Sequence, residues 1–210
     1  MDLTEFDQNP KIDYEREAAK IIERKSFNGW FREASELWFG QKFDWNRFRV
    51  QAWWESHLNP KAISRCGAKG IMQIMPLTWE EIKTQSGMID LRNPFNARQS
   101  IFAGIFYMKK QWDRWEKDKS SWDFERLWLY SLAAYNAGWG NIHRALIQCL
   151  RDHPIKEAIK WSAWDVVASY LPDITGDHAG ETIHYVFNIA QTYEALKKLL
   201  AAELSAFIRK

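Results

Sequence analysis

Apolar residues recur along this chain at helical spacing almost throughout. The clearest run is Ile101, Ile105, Met108, Trp112 and Trp115, at i, i+4, i+7, i+11 and i+14. That stripe predicts one long helix with a buried face. Tyr14, Ala18, Ile21 and Ile22 predict an amphipathic surface helix over 11–26, closed by Asn28-Gly29. A second piece follows at about 30–39 and ends at Gly40. Further on, Leu127, Tyr130 and Ala134 begin another apolar face after a charged loop at 117–125. Ile142, Leu146, Cys149 and Leu150 mark the next helix, with Asn141 as its cap. A helix near 155–161 opens at Pro154, and Ser162 with Asp165 forms a cap-like pair. Leu171 to Gly180 reads as a loop. A final helix carries Leu196, Leu199, Leu200, Leu204 and Phe207 on one face. The expected fold is mainly α, with at most a tiny β element.

The segment from Trp45 to Trp79 departs from this rhythm. Phe48, Ala52 and Glu55 share one helical face, and Pro60 should end that helix just before itself. No other acidic residue occurs from Ser56 through Trp79. Glu55 then sits near a helix C-terminus, where the dipole disfavours a carboxylate. It has no Lys or Arg three or four residues away, and it is flanked by tryptophans. Each effect favours the protonated carboxyl, the form a general acid needs. A solvated glutamate at a helix end is the plain alternative. After Asn59-Pro60 comes a turn with Gly67 and Gly70, where the backbone can approach closely. The short run Ile71 to Met75 and Pro76 follow. Thr78 and Glu81 form a capping box that should start the next helix.

The 210 residues suffice for one domain with a sizeable core. Net charge is +2, too small to argue for nucleic-acid binding. The 13 tryptophans recur at helical spacing and so belong mostly to the core. Cys66 and Cys149 lack C-x-x-C spacing, which points to no metal or redox motif; free buried thiols are expected, with Cys66 serving packing. No P-loop, G-x-S-x-G or H-E-x-x-H occurs. The N-terminus is acidic and lacks the apolar core of a secretory signal.

Glu55-Ser56, Asn59-Pro60, Ser64, Gly67-Ala68, Gly70, Met72-Gln73, Met75-Pro76 and Thr78 keep their spacing within one 24-residue pattern. That pattern resembles the catalytic signature of family 1 lytic transglycosylases, the soluble type. Ala133-Ala134-Tyr135-Asn136-Ala137-Gly138-Trp139-Gly140 resembles the family's second signature, and Glu181-Thr182-Ile183-His184-Tyr185-Val186 its third. Between them, Asn93-Pro94, Ile101, Gly104, Tyr107 and Met108 are similar to a further family segment. Its register differs, and Ser100 replaces the usual Asn, so that segment reads as scaffold.

The resemblance implies a lysozyme-like fold of the goose-type lysozyme and SLT kind over 41–210, with residues 1–40 as a helical extension packed on it. It implies that Glu55 is catalytic and that Ser64, Met72, Gln73, Tyr135, Asn136, Glu181 and Tyr185 bind substrate. Tyr135 could instead be a buried tyrosine capping its own helix. Glu181 could instead be a helix N-terminal charge, stabilised by the dipole. The implied partner is the peptidoglycan glycan strand, cut by a monomer without metal or cofactor. Ordinary glycoside hydrolysis needs two carboxylates. A transglycosylase needs one, because the muramic C6 hydroxyl supplies the nucleophile and a 1,6-anhydro end results. A goose-type hydrolase with Glu181 as second carboxylate and a non-catalytic wall-binding protein are the alternatives. The lack of a signal suggests phage origin, with synthesis in the host cytoplasm and action on periplasmic wall after holin release or from a virion. The C-terminal helix reads as packing, with membrane disturbance as the lesser reading.

Overall fold

The computed structural model describes residues 12–85, 87, 90–118, 122–154, 157, 160 and 162–209. Among them, helices are α1 (Tyr14–Glu23), α2 (Asn28–Phe39), α3 (Asn46–Ser56), α4 (Pro76–Gln85), α5 (Ala97–Asp118), α6 (Phe124–Ala137) and α7 (Trp139–Arg151). Then come α8 (Trp164–Ala168), α9 (Leu171–Thr175), a 3-10 turn at Gly176–His178, and α10 (Ala179–Ile208). The β content among the described residues is two isolated bridges, Ile63 to Lys69 and Lys69 to Ile74. The fold is mainly α with essentially no sheet. The chain forms two compact units. One comprises Asp13–Lys109 with Ile189–Lys210, and the other includes Lys110–Asn188.

The first unit is built around α3. Arg47, Phe48, Arg49, Val50, Gln51, Ala52, Trp53 and Ser56 are all buried, so this helix is enclosed on nearly every side. That enclosure explains why its apolar stripe is weak in the sequence. Helices α1 and α2 pack against it. Asp13 caps α1 by accepting the Arg16 N–H at 3.0 Å. Phe39, Phe43 and Phe48 form an aromatic cluster with ring centroids 4.4 to 5.2 Å apart. The buried cations of α3 have specific partners. Arg47 stacks over the Tyr193 ring at 4.2 Å. Arg49 donates to the Ile21 carbonyl at the end of α1 and to Asn46 Oδ1 at 2.9 Å. Burial lowers the Arg49 pKa to about 10, against an opposing pull from Asp44. The same unit includes the far part of α10, where Tyr193 donates to Asp44 Oδ2 at 2.7 Å and Thr192 accepts from Trp54 Nε1 at 2.9 Å.

The second unit is organised around Tyr130. Its ring is fully buried among Trp115, Trp122 and Trp164, with centroids 4.4 to 5.5 Å away. Its hydroxyl donates to the Ser162 carbonyl at 2.9 Å, and burial holds its pKa well above the ordinary tyrosine value. The tryptophans here are core, as their spacing implied. Gly138, at φ +83°, ends α6 and begins α7, joining them as a tight hairpin.

Several boundaries differ from the sequence expectations for identifiable reasons. Asn28-Gly29 does not close the first helix; α1 stops at Glu23 and Asn28 opens α2. Asp123 caps α6 by accepting the Arg126 N–H at 2.8 Å, so Phe124 and Glu125 are helical and the expected loop at 117–125 is shorter. Helix α4 begins at Pro76, whose fixed φ suits a first helical position, so Thr78 lies inside the helix and does not cap it. Asn141 is not a cap either; its Nδ2 donates back to the Ala137 carbonyl at 2.8 Å. Ala163 stands at the cap of α8 without a side-chain bond, while Ser162 is buried and accepts from Arg126 Nη1 at 3.2 Å. The expected loop from Leu171 to Gly180 is helical, opened by Pro172 in the first turn of α9. The expected helix near 155–161 falls largely outside the described residues. Residues 201–209 at the end of α10 are exposed, so Leu204 and Phe207 are not packed as expected.

Candidate active site

Glu55 is the penultimate residue of α3 and is half-buried. The helix stops at Ser56, three residues earlier than Pro60 required. The stop is made by His57 and Leu58, which both take left-handed conformations, at φ 53° and 59°. For L-residues this costs roughly 1–2 kcal/mol each. Surrounding bonds offset it. His57 N–H donates to the Trp53 carbonyl at 2.7 Å and Leu58 N–H to the Ala52 carbonyl at 3.4 Å. The Leu58 side chain is buried. Arg24 Nη1 donates to the His57 carbonyl at 2.8 Å. The buried Ser56 hydroxyl donates to the Ile71 carbonyl at 2.8 Å and accepts the Asn59 N–H at 3.1 Å, tying the helix end to the following loop.

That loop is braced from inside. Ser64 Oγ accepts the Ala68 N–H at 3.0 Å, and the Ser64 N–H donates to the Ala68 carbonyl at 3.0 Å. Gln73, itself at φ 46°, donates from Nε2 to the carbonyls of Gly70 at 2.8 Å and Ala62 at 3.2 Å. A Cβ on Gly70 would lie 2.0 Å from the Pro94 carbonyl oxygen and 2.8 Å from Ser100 Oγ. Gly70 therefore serves both its positive φ and a close backbone approach. Ser100, fully buried, accepts the Met72 N–H at 3.3 Å. The Met72 side chain is fully buried against Gly104. Met72 and Gln73, expected to bind substrate, thus have structural work in the loop. Ser64 is half-buried, and its oxygen is held by the Ala68 N–H. Cys66 is exposed in this loop, contrary to the buried packing role expected of it, because the turn at Arg65–Cys66 bulges outward between the Ser64 and Ala68 pairing.

In the other unit, Tyr135 and Asn136 occupy the last turn of α6, both half-buried. Asn136 Oδ1 accepts the Thr182 hydroxyl at 2.7 Å. Glu181 lies exposed in the first turn of α10, where the helix dipole favours its charge. Tyr185 follows one turn later and is buried. Asn136, Glu181, Thr182, Asn141, Thr175 and His178 border a recess of about 310 Å³. The structure therefore brings Asn136 and Glu181 to one cavity, which Tyr135 and Tyr185 do not line. Thr182 was available in the third motif as its second residue. Asn141 and His178 had no motif to mark them.

The brace on α3 from outside was also missed. Trp53 Nε1 donates to Glu17 Oε2 at 2.9 Å, and Arg24 lies over the Trp53 ring at 5.1 Å. Burial raises the Glu17 pKa, but hydrogen bonds from Lys20 and Trp53 and the charges of Lys20 and His57 outweigh it, so the net value is lowered. Nothing in the spacing of residues 11–26 distinguishes Glu17 or Arg24 from other charges on a surface helix.

Among the described residues, no three His, Cys, Asp or Glu side chains cluster as a metal site. No described helix is long and apolar enough to cross a membrane.

The chain is similar to several known proteins. The transglycosylase SLT domain profile matches residues 41–151, which include Glu55, its loop and Asn136. The membrane-bound lytic murein transglycosylase F 1 of Alkalilimnicola ehrlichii is 29% identical over 184 residues, covering 82% of this chain and 34% of that protein. The membrane-bound lytic murein transglycosylase F of Desulfosudis oleivorans is 30% identical over 164 residues, covering 74% and 34%. The chain thus spans about a third of the length of these curated relatives. The crystal structure of the 70 kDa soluble lytic transglycosylase of Escherichia coli superposes with a TM-score of 0.59 at 22% identity, over 86% of this chain and 26% of that one. At that identity the likeness is one of fold.

Proposed function

Because the chain belongs to the transglycosylase SLT domain family, we propose that it is a peptidoglycan lytic transglycosylase with Glu55 as its acid and base. The observation that supports this most is the placement of Glu55. It is half-buried at the end of an enclosed helix, next to a loop fixed by Ser56, Gly70 and Ser100. A catalytic carboxyl needs such fixed positioning, since small displacements are expensive in rate.

In this reading, protonated Glu55 gives its proton to the glycosidic oxygen between N-acetylmuramic acid and N-acetylglucosamine as the C1–O bond breaks. The resulting carboxylate then takes the proton of the muramic C6 hydroxyl as that oxygen bonds to C1. Glu55 ends protonated, no water is consumed, and the product carries a 1,6-anhydro end. Ser64, with its oxygen held by the Ala68 N–H, donates its proton to the substrate's N-acetyl group or developing charge. Asn136 and Glu181 contact the strand from their shared recess, and Tyr135 and Tyr185 act as further substrate-binding residues.

Glu55→Gln tests the assignment. The variant should fold with an unchanged melting curve and lose at least about a hundredfold in turnover of purified peptidoglycan, as removal of acid–base catalysis does. Turnover at the parental rate by the folded variant would remove Glu55 from the mechanism.

A further inference from the structure

The recess bordered by Asn136 and Glu181 includes Ile174 of α9 in its wall. Ile174 also lines a second recess of about 450 Å³, along with His143, Arg144, Ile147, Gln148 and Arg151. Four of these residues lie at i, i+3, i+4 and i+7 on α7 and so share one face of it. Arg144 stands where the two cavities meet, since its Nη2 donates at 2.5 Å to Oδ1 of Asn141, which lines the first recess. The 450 Å³ recess has no carboxylate in its lining. Asp173 is nearby but accepts from Gln148 Nε2 at 3.3 Å. Among the described residues, neither Arg144 nor Arg151 is in an ion pair.

We propose that this second recess is a subsite for the carboxylates of the peptide stems carried by the glycan strand. The inference rests on the transglycosylase reading and extends it to a part of the substrate remote from the cleaved bond. Seven residues of helix separate the two guanidinium-bearing positions by about 10 Å along the axis. An extended peptide spans that distance in about three residues, so two carboxylates of one short stem can meet both arginines. Guanidinium forks match carboxylates in geometry as well as charge. Ile147 and Ile174 supply apolar wall for small aliphatic side chains of the stem. Gln148, between the two cations, and His143, beside Arg144, add polar contacts.

The test compares two substrates, glycan strands bearing their stems and the same strands stripped of stems by an amidase. Arg144→Gln, Arg151→Gln and the double variant are assayed on both. The double variant should lose at least about tenfold in kcat/KM on stem-bearing strands and be unchanged on stripped strands, with each single variant intermediate. Arg151→Lys, which keeps charge without the planar fork, should recover only part of the loss. Equal kcat/KM for parent and double variant on stem-bearing strands would overturn the proposal, as would an equal fall on both substrates. A parent that cuts neither substrate would instead overturn the transglycosylase reading beneath it. Both arginines are exposed, and matched melting curves for all variants confirm that the rates report binding.

Discussion

Arg24 donates from Nη1 to the carbonyl of His57 at 2.8 Å, two residues beyond Glu55. The bond joins the segment after α1 to the left-handed turn that ends α3. That turn must hold two non-glycine residues at positive φ, so its geometry depends on neighbours that oppose relaxation. Arg24 is one such neighbour, and it lies outside the residues matched by the SLT domain profile. Arg24→Ala is expected to lower stability by about 1 kcal/mol, the usual net worth of one hydrogen bond. It should also reduce kcat more than it raises KM, since the bond orients Glu55's helix end and touches no proposed substrate residue. Urea unfolding and steady-state kinetics on purified peptidoglycan check the two halves separately.

Glu17 supports a pH prediction. Its folded-state pKa is below the ordinary glutamate value, so the folded protein favours its carboxylate. The stabilisation is therefore present above the ordinary value and is lost as pH falls through the depressed one. Glu17→Gln removes that dependence while leaving an oxygen for the Trp53 indole. The difference in unfolding free energy between parent and variant should be largest near neutral pH and shrink towards zero in acid. A difference that grew as pH fell would reverse the sign and contradict the assignment.

Two glycines should tolerate little substitution, Gly70 in the loop after α3 and Gly104 on α5 where that loop's Met72 packs. Gly70→Ala would set a Cβ 2.0 Å from the Pro94 oxygen. Either the loop or the Asn93–Pro94 turn must then move, and several kcal/mol of stability should be lost through strain and displaced bonds. Gly104→Ala would set a Cβ 2.7 Å from Met72 Cβ and Cγ, a less severe overlap than at Gly70 but one that Met72 relieves only by shifting with its backbone. Its cost should be smaller, about 1–3 kcal/mol. Ser100→Ala leaves the Met72 N–H without its acceptor and should cost about 1–3 kcal/mol. Denaturant midpoints for the three variants should rank Gly70→Ala as the most destabilised.

The cysteines should differ in reactivity. Cys66 is exposed, and Cys149 is fully buried with its pKa raised first by burial and then by Asp152. A thiol reagent should label one site per native chain promptly and the second only on unfolding. Prompt labelling of Cys149 in native protein would contradict its burial.

Much of this was legible in the sequence where a repeated period or a motif carried it. The Ile101 to Trp115 stripe gave α5, and its apolar face is core. Glu55 stood out as the candidate acid through the acid-free segment around it, and the structure places it half-buried at the end of α3. What stayed hidden depended on contacts distant in sequence. Helix α3 has too many buried polar residues to display an apolar stripe, because Tyr193, Ile21 and Glu17 receive them from other helices. The end of α3 was misplaced because Pro60 sets only the latest possible stop, whereas Leu58 burial and the Ser56 hydroxyl set the real one. Thr78 and Asn141 satisfied local capping rules, but Pro76 and Gly138 started those helices first. Ser100 was visible only as a departure from the family pattern; its role became clear once the Met72 N–H was found on its hydroxyl.

The most direct test of the central claim is the mass of the products released from purified peptidoglycan. Muropeptides lighter by one water than their hydrolysed counterparts are the expected result of the proposed mechanism, in which Glu55 serves both proton transfers and the sugar supplies its own nucleophile. Reducing ends at full hydrolysed mass would contradict the one-carboxylate mechanism and move the search for a water-activating group to Glu181.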